Sequence, residues 1–98
     1  MRFHFKSKKL EALYTSEKGA SKYPPEAVEA FFEVLAVIQA MKDERDLRAL
    51  KSLHFEKLSG SRQHQHSLRL GLQWRLIIEL EKDMRGNLVL IVSIEDYH

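Results

Sequence analysis

His66-Ser67-Leu68-Arg69-Leu70-Gly71-Leu72-Gln73-Trp74-Arg75-Leu76-Ile77-Ile78-Glu79-Leu80 alternates apolar and polar residues on both sides of a glycine-containing break. Leu68 and Leu70, then Trp74, Leu76, Ile78 and Leu80, occupy every second position, the period that sends side chains to one face of a sheet. A further alternating run, Leu88, Leu90, Val92 and Ile94, leads into Glu95-Asp96-Tyr97-His98. The opposite face then receives Ser67, Arg69, Gln73, Arg75, Ile77 and Glu79, followed by Val89, Ile91, Ser93, Glu95 and Tyr97.

Parity constrains the register. Apolar sets that share a face can pair only across a loop of odd length. Placing Leu70 opposite Trp74, with Gly71-Leu72-Gln73 as the turn, sets Arg69 opposite Arg75. Like charges facing each other across strands are unfavourable, so the pair suggests an anion that belongs between them. The same rule applied to the loop from Glu81 to Asn87 places Leu80 opposite Leu88, Arg75 opposite Ser93 and Gln73 opposite Glu95.

Upstream, Met1-Arg2-Phe3-His4-Phe5 reads as a short strand, and Ser7 as the cap of a helix whose apolar stripe is Leu10, Leu13 and Tyr14. Pro25 suits the first turn of a second helix, running from Glu26 to Met41, with Val28, Phe31, Phe32, Leu35 and Ile38 on one side and Glu26, Glu29 and Glu33 on the other. Asp43-Glu44-Arg45-Asp46 opens a short third helix through Leu50, its acidic residues placed where a helix N-terminus favours them. His54 to Leu58 is expected to be a strand leading to the loop Ser59-Gly60-Ser61-Arg62. The resulting order, β-α-α-(α)-β-β-β-β, is an α+β fold: a mostly antiparallel sheet with helices packed on one face and the other face bare.

The 98 residues suit one domain spanning 1–98. Sixteen Lys and Arg against fourteen Asp and Glu leave a net charge of +2, so affinity for nucleic acid has to come from local clustering. The absence of cysteine excludes disulfides and thiolate metal sites. No run approaches the ~20 apolar residues of a membrane span, and residues 1–5 lack the apolar core of a signal peptide; a cytoplasmic protein with no membrane association is expected. Among the five histidines, His64 and His66 on one side of an extended segment, with His98 nearby, would be the candidate metal set. No thiolate or defined third ligand completes it, so neither metal nor cofactor is expected.

Leu58-Ser59-Gly60-Ser61-Arg62, His66-Ser67-Leu68-Arg69-Leu70, Gln73-Trp74-Arg75-Leu76 and the terminal Glu95-Asp96-Tyr97-His98 together resemble the HigB, or killer-protein, branch of the RelE/ParE toxin superfamily. The likeness covers nearly the whole chain, and the Trp-Arg followed by a terminal Asp-Tyr-His is its most specific part. It implies a RelE-like fold and a toxin of a type II toxin-antitoxin system that cleaves mRNA on the ribosome and so inhibits translation. The implied partners are a HigA-like, helix-turn-helix antitoxin, the ribosome and mRNA, with operator DNA reached only through the antitoxin.

Carried over residue by residue, the resemblance implies a catalytic set of Asp96, Tyr97, His98 and Arg75. Glu56 takes a family strand position in Phe55-Glu56-Lys57-Leu58-Ser59-Gly60, with His54 two residues earlier as the other candidate for it. Arg69, Arg62, Lys57, Gln73 and His54 are expected to bind RNA and its phosphates. Ser59 and Ser61 stand where the family commonly has Lys and Asp. The implied chemistry is metal-independent. The ribose 2'-hydroxyl attacks the phosphorus, and the site must supply a base for that proton, an acid for the 5'-oxygen, and positive charge around the phosphorane. An imidazole of unperturbed pKa ~6.5 can serve as either acid or base, which favours His98, with Asp96 orienting it or acting as base. Tyr97 can stack on an unpaired base. Two other readings are a ParE-like topoisomerase inhibitor of the same fold and a non-catalytic partner that helps an antitoxin bind operator DNA.

Overall fold

A computed structural model describes residues 1–96 of the chain; Tyr97 and His98 lie outside the described residues. The elements are β1 (Arg2–Phe5), α1 (Lys8–Ser16), α2 (Pro25–Ala40), a short α3 (Arg45–Ala49), β2 (Glu56–Lys57), β3 (Gln65–Leu70), β4 (Trp74–Asp83) and β5 (Gly86–Asp96). The strands form one sheet in the order β1-β5-β4-β3-β2. Only the β1–β5 pair is parallel. This is the α+β order expected from the sequence.

The local signals act as their chemistry requires. The Ser7 hydroxyl accepts a hydrogen bond from the Leu10 amide at 3.2 Å and caps α1, and Pro25 occupies the first turn of α2. Phe31, Leu35 and Ile38 of α2 are fully buried against Leu68, Leu76 and Ile78 of the sheet. Each such side chain contributes about 1.5–3 kcal/mol of burial free energy. Glu26, Glu29 and Glu33 remain exposed on the far side of α2. An aromatic chain of Phe3, Phe5, Tyr14 and Phe32, with ring centroids 5.5–5.9 Å apart, ties β1 to α1 and α2. The Met1 amino group donates to the carbonyls of Ile38 and Gln39, both at 3.1 Å, which joins the start of β1 to the end of α2.

The β3–β4 hairpin has the expected register: Leu70 pairs with Trp74 and Arg69 with Arg75. The β4–β5 hairpin does not. Its loop is shorter than the Glu81–Asn87 span predicts, because Asp83 pairs with Gly86 and Leu80 pairs with Val89, not Leu88. Asp83-Met84-Arg85-Gly86 makes the tight turn: the Asp83 carboxylate accepts from the Arg85 amide at 2.8 Å, and Gly86 holds φ +109°, a conformation side chains rarely adopt. An irregularity in the ladder between Ile77 and Ile78 then leaves one extra β5 residue, Val92, between Ile91, opposite Ile78, and Ser93, opposite Ile77.

The bulge inverts the alternation of β5. Val89 and Ile91 join the core in place of Leu88, Leu90 and Val92, whereas Ile94 packs against the core as expected. Arg75 therefore lies opposite Glu95 and not Ser93, and Gln73 remains in the turn instead of opposing Glu95. The open face is also less bare than expected, since Ile77 and Ser67 on it are buried.

The expected strand from His54 to Leu58 shrinks to Glu56–Lys57. Leu53 is drawn into the core and Phe55 packs at its margin. His54 between them takes φ +47° and turns outward.

Candidate functional site

The face of the sheet away from the helices carries a pocket of about 260 Å³ lined by His54, Glu56, Ser67, Arg69, Leu72, Trp74 and Arg75. Alternation in β3 and β4 aims Arg69 and Arg75 to this side, and their register pairing sets them across from each other. Trp74 is held by an edge-on contact with Tyr23, ring centroids 5.7 Å apart, so the base of the hairpin is tied to the helical layer. His54 arrives from the other wall, on the segment that Leu53 anchors.

Arg69 is fixed at two points. Its Nε donates to the Gly71 carbonyl at 2.9 Å, and its Nη1 lies 3.2 Å from His54 Nε2. A guanidinium has donors only, so His54 Nε2 must accept, which places the ring proton on Nδ1 and leaves the imidazole neutral. Glu56 pairs in register with Ser67 on the same face, so a carboxylate and an imidazole share the pocket with the facing arginines.

Behind Arg75 stands Glu95, its β5 register partner, with a carboxylate oxygen 3.8 Å from Arg75 Nη2. That carboxylate is taken up mainly elsewhere. Arg62 Nη1 and Nη2 donate to its two oxygens at 3.0 and 2.7 Å, and the Ser93 hydroxyl donates to one of them at 2.9 Å. Arg62 Nε donates to Gln65 at 3.0 Å, so this guanidinium bridges from the start of β3 to the end of β5. The hydrogen bonds from Arg62, against some desolvation, hold the Glu95 carboxyl below the usual carboxylate range.

The expected site residues thus separate. His54, Glu56, Arg69 and Arg75 meet in the pocket, whereas Arg62 is committed to Glu95 and Gln65. Lys57 is exposed and pairs with His66 on edge strand β2. The Gln73 amide donates to the Asp96 carboxylate at 3.3 and 3.4 Å, with Asp96 opposite Trp74 at the end of β5. Tyr97 and His98 lie outside the described residues.

The suggested grouping of His64 with His66 does not form. His64 is still in the turn before β3, 3.7 Å from Glu79, whereas His66 points to the helical side and stacks on Phe55 with ring centroids 4.6 Å apart and planes 3° from parallel. Arg48 covers the Phe55 ring at 5.0 Å. Burial, then the charges of Arg48 and Lys57, lower the His66 pKa, with Glu44 opposing them. Among the described residues no cluster of three His, Asp or Glu side chains could hold a metal.

Sequence reading missed Glu95 as the neighbour of Arg75 and the apolar pocket wall formed by Leu72 and Trp74. The Asp-x-x-Gly spacing of Asp83 and Gly86 is a type I turn signature that shortens the loop. No comparable local signal marks the bulge at Val92.

Chemically, the pocket offers two fixed cations for an anion, a neutral imidazole, a carboxylate, and the aromatic edge of Trp74. A phosphodiester suits it better than a carboxylate ligand, because the planar forks of facing arginines can each engage separate phosphate oxygens.

Comparison with known proteins is consistent along the chain. The family model described as the RelE-like toxin of type II toxin-antitoxin system HigB matches residues 3–98. Toxin HigB-1 of Vibrio cholerae serotype O1 is 34% identical over 79 residues, covering 81% of this chain and 83% of the relative. In structure the chain is similar to the YoeB/ParE toxin from Agrobacterium tumefaciens, with a TM-score of 0.59 over 100% of both chains at 10% identity, a likeness of fold.

Proposed function

Because the chain belongs to the HigB-like family of RelE-like toxins of type II toxin-antitoxin systems, we propose that it is a ribosome-dependent endoribonuclease that cleaves mRNA and inhibits translation. The observation that carries the reading is the facing pair Arg69 and Arg75 in one pocket with His54 and Glu56. Two cations held opposite each other with no intervening acid on their strands make a poor stabilising device and a good phosphate site.

In the proposed reaction the 2'-oxygen forms a bond to phosphorus as the bond to the 5'-oxygen breaks, giving a 2',3'-cyclic phosphate and a 5'-hydroxyl. Arg69 and Arg75 neutralise the non-bridging oxygens as negative charge gathers on them. The 2'-proton goes to a base and the 5'-oxygen receives a proton from an acid. Within the described residues Glu56 and His54 are the groups able to take or give these protons. The Nε2 lone pair of His54 is engaged by Arg69, and a phosphate that draws Arg69 toward itself releases it for proton transfer. The family pattern adds His98 as the first choice for proton transfer, Asp96 to orient it or act as base, and Tyr97 to stack on the exposed base. Lys57 and Gln73, on either flank, guide the RNA strand.

A type II toxin has a cognate antitoxin. A HigA-like, helix-turn-helix protein is proposed for that role, with operator DNA contacted through it, the ribosome as the platform for cleavage, and the cytoplasm as the compartment. Among the described residues no helix is long and apolar enough to cross a membrane.

The test is a cell-free translation reaction in which mRNA integrity is followed alongside a gyrase supercoiling assay. Loss of mRNA only while ribosomes translate it supports the reading. Intact mRNA with blocked supercoiling assigns the chain to topoisomerase inhibition instead.

A further inference from the structure

Arg75 has an acidic neighbour on its own face of the sheet. Glu95 is its register partner, 3.8 Å away, and a carboxylate so placed competes with any phosphate for the same guanidinium. The competition is blocked by geometry. Both Glu95 oxygens are occupied by Arg62, at 3.0 and 2.7 Å, and one also receives the Ser93 hydroxyl at 2.9 Å. Arg62 is itself steadied by Gln65 at the start of β3, so all three of its side-chain nitrogens are engaged away from the pocket.

We propose that Arg62 is a positioning residue which holds the Glu95 carboxylate away from Arg75 and so keeps Arg75 available to the substrate phosphate. The proposal rests on the ribonuclease reading only for the identity of the anion. A paired Arg62 adds little direct attraction for RNA, since its charge is matched by Glu95 at contact distance. Without Arg62, the carboxylate rotates toward the nearest remaining cation, Arg75, and an incoming phosphate must first displace it. Arg62 thus acts on the anion through Glu95, not by touching it. A direct phosphate contact by Arg62 makes a different prediction, because it takes no account of what stands at position 95.

A double-substitution cycle separates the two. Binding of a short single-stranded RNA, and cleavage of mRNA on programmed ribosomes, are measured for the wild type, Arg62→Ala, Glu95→Gln and the double variant, with thermal melting of each. Arg62→Gln serves as a second single variant that keeps a polar group at the position. Arg62→Ala is expected to weaken RNA binding about tenfold, the equivalent of ~1.4 kcal/mol, and to raise KM more than it lowers kcat. Glu95→Gln is expected to bind at least as well as the wild type, and adding it to Arg62→Ala restores binding and cleavage. A folded double variant as impaired as Arg62→Ala overturns the proposal and makes Arg62 a direct ligand. Unimpaired binding by both Arg62 variants overturns it as well. If the wild type cleaves no RNA the ribonuclease reading fails, but the binding arm, repeated with inorganic phosphate, still decides whether Arg62 protects the anion site.

Discussion

Arg69 of β3 and Arg75 of β4 are register partners on the open face of the sheet. Their side chains are oriented by separate contacts. Arg69 is tied to the Gly71 carbonyl and to His54, and Arg75 stands beside Glu95. The pair is therefore preset before an anion arrives, which avoids reorganisation when negative charge develops on a bound phosphate.

Arg75→Ala should abolish growth arrest and cut mRNA cleavage by about two orders of magnitude, the usual cost of removing one donor to a developing oxyanion. Stability should change by only about 1 kcal/mol, since no core side chain is lost. Arg75→Lys should recover part of the activity, because it restores the charge but not the planar fork. Cleavage rate and melting temperature together decide the matter. A melting loss in proportion to the activity loss would make Arg75 structural.

His54 separates activity from stability. Its φ of +47° is disfavoured for any side chain by about 1–2 kcal/mol, and glycine relieves that strain. His54→Gly is expected to melt no lower than the wild type while cleaving far more slowly, because both the imidazole and the contact to Arg69 are gone. Denaturation curves and single-turnover cleavage check the two halves, and a fully active glycine variant would exclude His54 from proton transfer.

His66 makes stability depend on pH. Its pKa is lowered, chiefly by burial, so between the native value and the unfolded value of ~6.5 the unfolded chain binds more protons. This contribution is present above pH ~6.5 and is lost as the pH falls through that window. His66→Phe keeps an aromatic ring beside Phe55 and has nothing to titrate. Its melting temperature should fall less than that of the wild type between neutral and mildly acidic pH, and parallel curves would show that the His66 charge has no part in stability.

The legibility of this fold in its sequence follows the range of the forces involved. The Ser7 cap, Pro25 and the stripe through Phe31, Leu35 and Ile38 are local signals, and each element formed where its signal stood. The Gly71-Leu72-Gln73 turn was legible because parity left one register that kept Leu70 and Trp74 on a common face. Parity failed in the next hairpin because the Val92 bulge inserts a residue without any residue type that announces it. Of the candidate site, His54, Glu56, Arg69 and Arg75 could be named in advance, and the pocket brings them together. The partnership of Arg62 with Glu95 could not be foreseen, since it spans 33 positions in sequence and depends on the register that the bulge sets.

The most direct measurement is the mapping of mRNA ends after incubation with translating ribosomes and a metal chelator, comparing the wild type with Arg75→Ala at equal concentration. The proposed ribonuclease leaves 2',3'-cyclic phosphate ends within the codons that ribosomes occupy, and Arg75→Ala leaves almost none. Growth arrest by the wild type with no new mRNA ends, or identical ends from both proteins, would contradict the assignment of this pocket as the cleavage site.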